Sequence, residues 1–260
     1  MEDTTDRPDT LQSLERGLAV LQVFSQENPR LTLSDVARLA GVTRATARRI
    51  LLTLQSLGFV RADGRQFSLT PRVLSLGFGY LSSLGLWDIA QSYMEDLVEK
   101  THESCSAATL DLPDIVYVAR VPTRRIMTIS LGIGSRLPAH ATSMGRVLLA
   151  GLPEDELEAY LAGGPFETFT ERTVVGPDQL RTAVRRVREQ GWSMVDQELE
   201  MGLRSISAPI RGADGGVLAA LNIAAAVSRV GLDELRDQFL PPMLATAEQI
   251  SQAFMRSGRH

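Results

Sequence analysis

The sequence predicts an α+β chain of two domains, on three observations. Residues 31–59 read as two short helices meeting at a glycine, the second carrying arginines, and a strand-turn-strand signal follows them. From residue 88 onward, strand-like runs come in consecutive pairs with helices before, between and after them, the pattern of an antiparallel sheet flanked by helices. A length of 260 residues at 44% hydrophobic content gives each of two domains enough apolar material for a core. The expected boundaries are 10–70 for the first domain, 71–87 for a connecting helix and 88–260 for the second domain.

Residues 1–9 carry charge and proline but almost no apolar side chains, and disorder is expected there. From Thr10, the spacing of Leu11, Leu14, Leu18, Leu21 and Val23-Phe24 predicts a helix whose apolar stripe joins a three-helix core, ended by Asn28-Pro29. Ser34 is expected to cap the next helix, with Val36, Ala37, Leu39 and Ala40 as its apolar side. Gly41 supplies a positive φ after that helix, Val42 tucks under, and Thr43 caps the following one. There Ala47, Ile50, Leu51 and Leu54 share the buried face. The opposite face carries Ala45, Thr46, Arg49 and Thr53, with Arg48 at its margin and Thr43 and Arg44 at its start. Small residues let a helix backbone enter a major groove, while arginines reach guanine edges or phosphates. The bland alternative is a solvated, arginine-bearing face of the kind common in soluble proteins.

Two features weigh against that alternative. Residues 57–61 and 66–69 read as strands around Asp63-Gly64, a tight-turn sequence, so a hairpin follows the helix pair and places Arg61, Arg65 and Gln66 where a wing touches a nucleic-acid backbone. Residues 30–72 hold eight arginines against two aspartates, a local charge of +6 in a chain whose net charge is −4, the electrostatic footprint of a nucleic-acid surface.

Thr70-Pro71 opens another helix, with proline where its missing N–H costs nothing. Val73, Leu74, Leu76, Phe78, Tyr80, Leu81 and Leu84 make this helix apolar on too many sides for a single neighbour, and Gly77, Gly79 and Gly85 weaken it in isolation. It is expected to serve as the interdomain connector and as a contact between subunits.

The second domain is expected to open at Asp88 as a cap, with Ile89, Tyr93 and Leu97 lined up beside Ala90, Met94 and Val98. Strands follow at 105–112, 115–121 and 126–131, punctuated by Pro113-Asp114 and Pro122-Thr123. A helix over 142–152 is entered from the loop LPAHA, and two more cover 154–161 and 178–190. Strands at 192–197, 205–210 and 217–224, with 212–216 as a hairpin turn, precede a long closing helix from 232 to about 255.

Several chemistries are not expected. Cys105 is the single cysteine, which leaves no internal disulfide and no multi-cysteine metal site. His102, His140 and His260 lack metal-ligand spacing, and Lys100 sits in no phosphate-binding glycine loop. Gly132-Ile133-Gly134 lacks the third glycine of a dinucleotide fingerprint, and Ser143 and Ser205 lie in no G-x-S-x-G elbow. No catalysis, metal or cofactor is expected. The acidic, polar start MEDTTDRPDT contains no apolar signal region and no stretch reads as a membrane span, which predicts a cytoplasmic protein.

Binding of a small anion is better supported. Thr142-Ser143-Met144-Gly145 opens a helix whose free N–H groups suit a carboxylate, and Gly145 allows close approach. Arg124 or Arg125 suits bidentate carboxylate recognition; as adjacent strand residues they point to opposite faces, so at most one lines a pocket.

Residues 10–24 (TLQSLERGLAVLQVF), the stretch LTLSDVARLAGVTRATARRILLTLQSLGFV, and later LPAHATSMGRVLLA and GLRSISAPI together resemble the isocitrate-lyase-regulator (IclR) family of bacterial transcription factors, in the family's order and over nearly the whole chain. VYVARVPTRRIMTISLGIGSRLPAHATSMGRVLLAGLP, MVDQELE and AALNIAAA resemble most closely its regulators of protocatechuate, p-hydroxybenzoate and β-ketoadipate metabolism. The resemblance implies a winged helix-turn-helix joined to a sheet of the GAF or PAS kind whose concave side holds a small molecule. It implies double-stranded operator DNA, palindromic in sequence, as one partner, protocatechuate or β-ketoadipate as effector, and a homodimer or dimer of dimers. Arg16 resembles a position that touches DNA or stabilises the fold, with a pair to Glu15 or a neighbour as an equal alternative. The effector segments implied are the start of the 142–152 helix, the end of the WSMVDQEL strand at Asp196, Ser205 after Gly202-Leu203-Arg204, and Asn222 within AALNIA. Ser205 stands where many members have cysteine and Asn222 where many have serine; both keep hydrogen-bonding capacity. For Asp196, a turn or surface carboxylate at a strand end is an equal alternative. For Ser205 and Asn222, polar groups in apolar strands need partners, which favours ligand contact. The competing reading of the whole chain is a small-molecule sensor or enzyme whose basic helices serve protein contacts.

Overall fold

The computed structural model describes residues 10–25, 27–84, 86–123 and 131–257, and the chain divides into two compact units, Met1–Ser83 and Leu84–His260. Residues 1–9, Arg124, Arg125, most of the strand expected over 126–131, and His260 lie outside the described residues.

In the first unit, helices α1 (Gln12–Gln22), α2 (Leu33–Leu39) and α3 (Arg44–Ser56) pack with a small sheet. Gly41 adopts φ +64 between α2 and α3, as its place in the sequence requires. The cap of α2 differs from expectation. Thr32, not Ser34, receives the Asp35 N–H, and the Asp35 carboxylate accepts from the Thr32 N–H and hydroxyl at 3.1 and 2.6 Å. This reciprocal box satisfies two helix-end donors and holds the Asp35 carboxyl below its ordinary range. Thr32 also ends a two-residue strand, β1 (Leu31–Thr32), that pairs with β3 (Gln66–Leu69) of the predicted hairpin; β2 (Val60–Asp63) lies on the other side of β3.

The face of α1 also differs. Its core residues are Val20 and Phe24, with Leu21 and Val23 partly buried, whereas Leu11, Leu14 and Leu18 are exposed. Gly17, Val20, Leu21 and Phe24 form a second helical stripe next to the leucine one, and the packing selects the stripe with small Gly17 at its start. The remaining core, Leu31, Val36, Ala37, Ala47, Leu51, Leu54 and Val60, follows the expected periodicity. After a short turn capped by Thr70, α4 (Leu74–Leu84) presents Leu74, Leu76, Phe78 and Tyr80, each more than half exposed.

In the second unit, α5 (Leu86–Thr101) begins two residues before Asp88, so Asp88 lies inside the first turn and is not the cap. A six-stranded antiparallel sheet follows: β4 (Ser104–Asp111), β5 (Asp114–Val121), β6 (Arg136–Pro138), β7 (Ser193–Asp196), β8 (Leu203–Arg211) and β9 (Val217–Ala226), in the order β6-β5-β4-β9-β8-β7. Strand β6 was not expected; its Leu137 and Pro138 belong to the stretch read as a loop. One sheet face packs on α5 and the C-terminal α10 (Leu240–Arg256) through Met94, Leu97, Ile206, Leu221, Ile223, Met243 and Ile250. Cys105 is buried in this layer, and burial pushes its thiol up, out of reactive range. The other face carries α6 (Ser143–Ala150), α7 (Glu154–Leu161) and α8 (Pro177–Gln190) over Ala108, Ile115, Tyr117 and Ala220. The closing helix runs unbroken over 232–256, as expected, but contains a π turn: α9 (Leu232–Glu234) passes through a π-helical stretch, Leu235–Phe239, into α10. Pro241 and Pro242 offer no N–H to the preceding turn, and the wider π turn accommodates that gap.

Candidate functional site

The first candidate surface is the outer face of α3. Thr43 caps the helix, accepting from the Thr46 N–H at 3.2 Å and donating to the Thr46 hydroxyl at 2.9 Å, and the Thr53 hydroxyl donates to the Arg49 carbonyl at 3.0 Å. These hydroxyls are turned onto their own helix, which leaves the exposed guanidinium groups of Arg44, Arg48 and Arg49 as the long donors around small, exposed Ala45. None of these arginines has an ion-pair partner among the described residues. The hairpin turns through Gly64 at φ +59, with Asp63 opposite Gln66, and leaves Arg65 and Gln66 exposed at its tip; Arg61 is exposed and donates to the Ser68 hydroxyl at 3.1 Å. Arg16 is exposed on α1 and makes no ion pair with Glu15.

The second is a cavity of about 290 Å³ between the sheet and the start of α6, walled by β5, β9, β8 and the residues after β7. Ser143, Met144, Ser205 and Asn222 of the expected set line it. The Ser143 hydroxyl lies 2.8 Å from that of Ser205 and donates to that of Ser207 at 3.1 Å, while the Asn222 carbonyl oxygen accepts the Ser106 N–H at 3.1 Å. Asn222 thus ties β9 to β4 and faces the cavity at once.

Two expected residues do not line it. The close approach that Gly145 permits is to the chain's own backbone: a Cβ there would stand 2.1 Å from the Ala139 carbonyl oxygen, and its N–H already donates to the Thr142 hydroxyl at 3.0 Å. The Asp196 carboxylate accepts from Arg204 Nε at 3.0 Å and Arg172 Nη1 at 2.7 Å, a structural ion cluster at the strand end. Arg124 lies outside the described residues.

Sequence reasoning missed Tyr117, Arg120, Glu198 and Arg229 on the cavity wall. Burial pushes the Tyr117 phenol up to about 12, so it stays a protonated donor. Arg120 Nη1 donates to the Ser106 hydroxyl at 3.1 Å, and Arg229 grips the Glu103 carboxylate with contacts of 2.9, 3.1 and 3.2 Å. Glu198 is buried, pairs with buried Arg146 of α6 at 2.5 Å and accepts the Val174 N–H at 3.1 Å. It begins the segment 198–202 that covers the cavity after Gln197, held at φ +62. The signal for Arg120 was its place in an alternating strand; a bulge between Ala107 and Ala108 shifts the pairing there and hides its partners from simple counting.

An exposed basic helix with a hairpin beside it is the arrangement of a DNA reader, and the other unit holds a polar-lined cavity without metal-ligand clusters among the described residues. No described helix is long and apolar enough to cross a membrane. Residues 13–64 match the IclR helix-turn-helix domain and residues 78–252 the bacterial transcriptional regulator IclR C-terminal domain. The Pca regulon regulatory protein of Pseudomonas putida is 45% identical over 247 residues, covering 95% of this chain and 85% of that protein. The p-hydroxybenzoate hydroxylase transcriptional activator of Acinetobacter baylyi is 35% identical, with 93% and 91% covered. The crystal structure of a protein described as a transcriptional regulator, from Rhodococcus sp. RHA1, superposes with a TM-score of 0.84 at 54% identity and covers 95% of this chain and 100% of that one. The chain is a DNA-binding transcriptional regulator of the IclR family.

Proposed function

We propose that this regulator binds a palindromic operator in the cytoplasm and that a small aromatic or dicarboxylic acid, protocatechuate or β-ketoadipate, alters that binding from the cavity in the C-terminal unit, in the control of aromatic-compound catabolism. The observation that carries the DNA half is the outer face of α3, where Arg48 and Arg49 stand exposed, with the core residues Ala47, Leu51 and Leu54 on the other side. Two relatives whose names refer to the Pca regulon and to p-hydroxybenzoate hydroxylase support the pathway. Ser143, Met144, Ser205 and Asn222 are the contacts carried over for the effector, Arg16, Thr43, Arg44, Ala45, Thr46, Arg48, Arg49, Thr53, Arg61, Arg65 and Gln66 those for DNA, and 71–87 acts as linker.

The test is a titration of labelled DNA from upstream of the protein's own gene at several salt concentrations. Binding is expected to weaken steeply with salt, because neutralised phosphates release counterions. Arg49→Ala is expected to weaken specific binding by about 5- to 150-fold, the equivalent of about 1 to 3 kcal/mol for one bidentate base contact, with unchanged thermal stability. Equal affinity of mutant and wild type at one fixed salt concentration removes Arg49 from the interface.

A palindrome is read by a symmetric protein. The exposed Leu74, Leu76, Phe78 and Tyr80 of α4 supply apolar surface for pairing subunits, and sedimentation at micromolar concentration is expected to give a dimer or dimer of dimers. A single species of 28.4 kDa contradicts this.

A further inference from the structure

The register of the sheet sets the ligand's orientation. Directly opposed residues on neighbouring strands share a face, and here Arg120 of β5 faces Ser106 of β4, Ser106 faces Asn222 of β9, and Asn222 faces Ser207 of β8. A single polar row therefore crosses four strands. It lies on the face under α6, since the Ser143 hydroxyl donates to Ser207. The next row on that face is apolar, Ala108 opposite Ala220.

The row has a charged end and a hydroxyl end. The Arg120 guanidinium rests on the Ser106 hydroxyl, over β4, and the hydroxyls of Ser143, Ser205 and Ser207 cluster over β8. Two strand spacings, about 10 Å, separate β4 from β8, with Asn222 on β9 between them. The buried Glu198 carboxylate lines the same cavity, and the Gly145 N–H is engaged by its own cap. The fork of Arg229 is closed around Glu103.

We propose that Arg120 anchors the carboxylate of the effector and that the Ser143 and Ser205 hydroxyls, with Ser207 behind them, receive a hydroxyl at its far end, so that the cavity measures the separation of the two groups. This rests on the reading of the cavity as an effector site and adds its specificity. A flat acid with a hydroxyl para to its carboxylate spans the row with one hydrogen bond at each end, its ring passing Asn222. An acid with the hydroxyl ortho reaches only one end. Arg120 is then the determinant of acid over neutral ligand, and Ser143 that of hydroxylated over plain benzoate.

Calorimetric titration of the full chain tests this with four probes: 4-hydroxybenzoate, 2-hydroxybenzoate, benzoate and 4-hydroxybenzamide, the neutral counterpart of the first. The wild type is expected to prefer 4-hydroxybenzoate at least tenfold over each of the others. In Arg120→Gln the preference for acid over amide is expected to collapse to within about twofold, while the preference for 4-hydroxybenzoate over benzoate survives. In Ser143→Ala the pattern reverses: the hydroxyl preference falls and the acid preference survives. Arg120→Lys, which keeps the charge and loses the planar fork, is expected to fall between wild type and Arg120→Gln in acid preference, and it decides the matter if the glutamine variant fails to melt cooperatively. An acid preference untouched in Arg120→Gln or Arg120→Lys, or an equal loss for acid and amide, overturns the anchor while leaving the effector site in place. Binding of 2-hydroxybenzoate as tight as that of 4-hydroxybenzoate overturns the measuring row. Absence of binding of all three benzoates by the folded wild type overturns this proposal, whereas the effector reading falls only if protocatechuate and β-ketoadipate also give no heat of binding.

Discussion

Gly145→Ala is expected to lower stability by roughly 3 kcal/mol or more, at the upper end of what overpacking costs, and to bring the thermal midpoint down by about 6 to 12 °C. The added Cβ would stand 2.1, 2.4 and 2.5 Å from the carbonyl oxygen, Cα and carbonyl carbon of Ala139. All three are backbone atoms, so no flexible side chain can swing aside. The turn that holds Ala139 is itself pinned, because Arg146 Nε donates to the His140 carbonyl at 3.2 Å and the His140 ring bonds the Glu167 carbonyl at 2.9 Å while stacking on Phe166. Relief then requires α6 to lift from the sheet, which displaces Ser143 and Met144 at the cavity wall. A thermal melt of the variant checks this, and a midpoint within a degree of wild type contradicts it.

Glu198→Gln is expected to cost about 3 to 5 kcal/mol, the penalty for leaving one member of a buried ion pair uncompensated. Arg146 and Glu198 meet at 2.5 Å, and each is less than a tenth exposed. The pair joins the start of α6 to the segment over the cavity, and Glu198 also holds Val174. Replacing both partners, Arg146→Met with Glu198→Leu, removes the unmatched charge along with the attraction, so the double variant is expected to recover most of the loss. Denaturant titration of Arg146→Met, Glu198→Leu and the double variant measures the coupling. A double variant as unstable as the sum of the singles contradicts a shared, paired burial.

The parts of the fold that were legible in the sequence are those fixed by local pattern. Gly41, Thr43 and the spacing of Ala47, Leu51 and Leu54 define α3 from local sequence alone, and alternation defines β7 and the pair β8 and β9 around the Gly212 to Gly216 turn. What was not legible depends on contacts distant in sequence. Strand β1 is two residues long and exists because Leu31 meets Phe67. Both the leucine stripe and the stripe of Val20 and Phe24 on α1 satisfy helical spacing, and the partners choose between them. Gly145 was read as making room for a ligand because nothing near it in sequence reveals the approach of the Ala139 carbonyl. Asp196 looked available until Arg172 and Arg204 were placed on it. The row from Arg120 to Ser207 needs the pairing of Ser106 with Asn222, 116 positions away, and no local pattern contains it.

The central claim is that occupancy of the cavity changes affinity for DNA, which requires the ligand to bind two states of the protein unequally. The direct measurement is the affinity of the full chain for its upstream DNA at fixed salt, without ligand and with saturating protocatechuate or β-ketoadipate, with benzoate as control. A shift of at least about fivefold with one of the two pathway acids and none with benzoate is the predicted result, in keeping with ordinary coupling energies. DNA affinity that stays constant while calorimetry shows the acid bound would contradict the account.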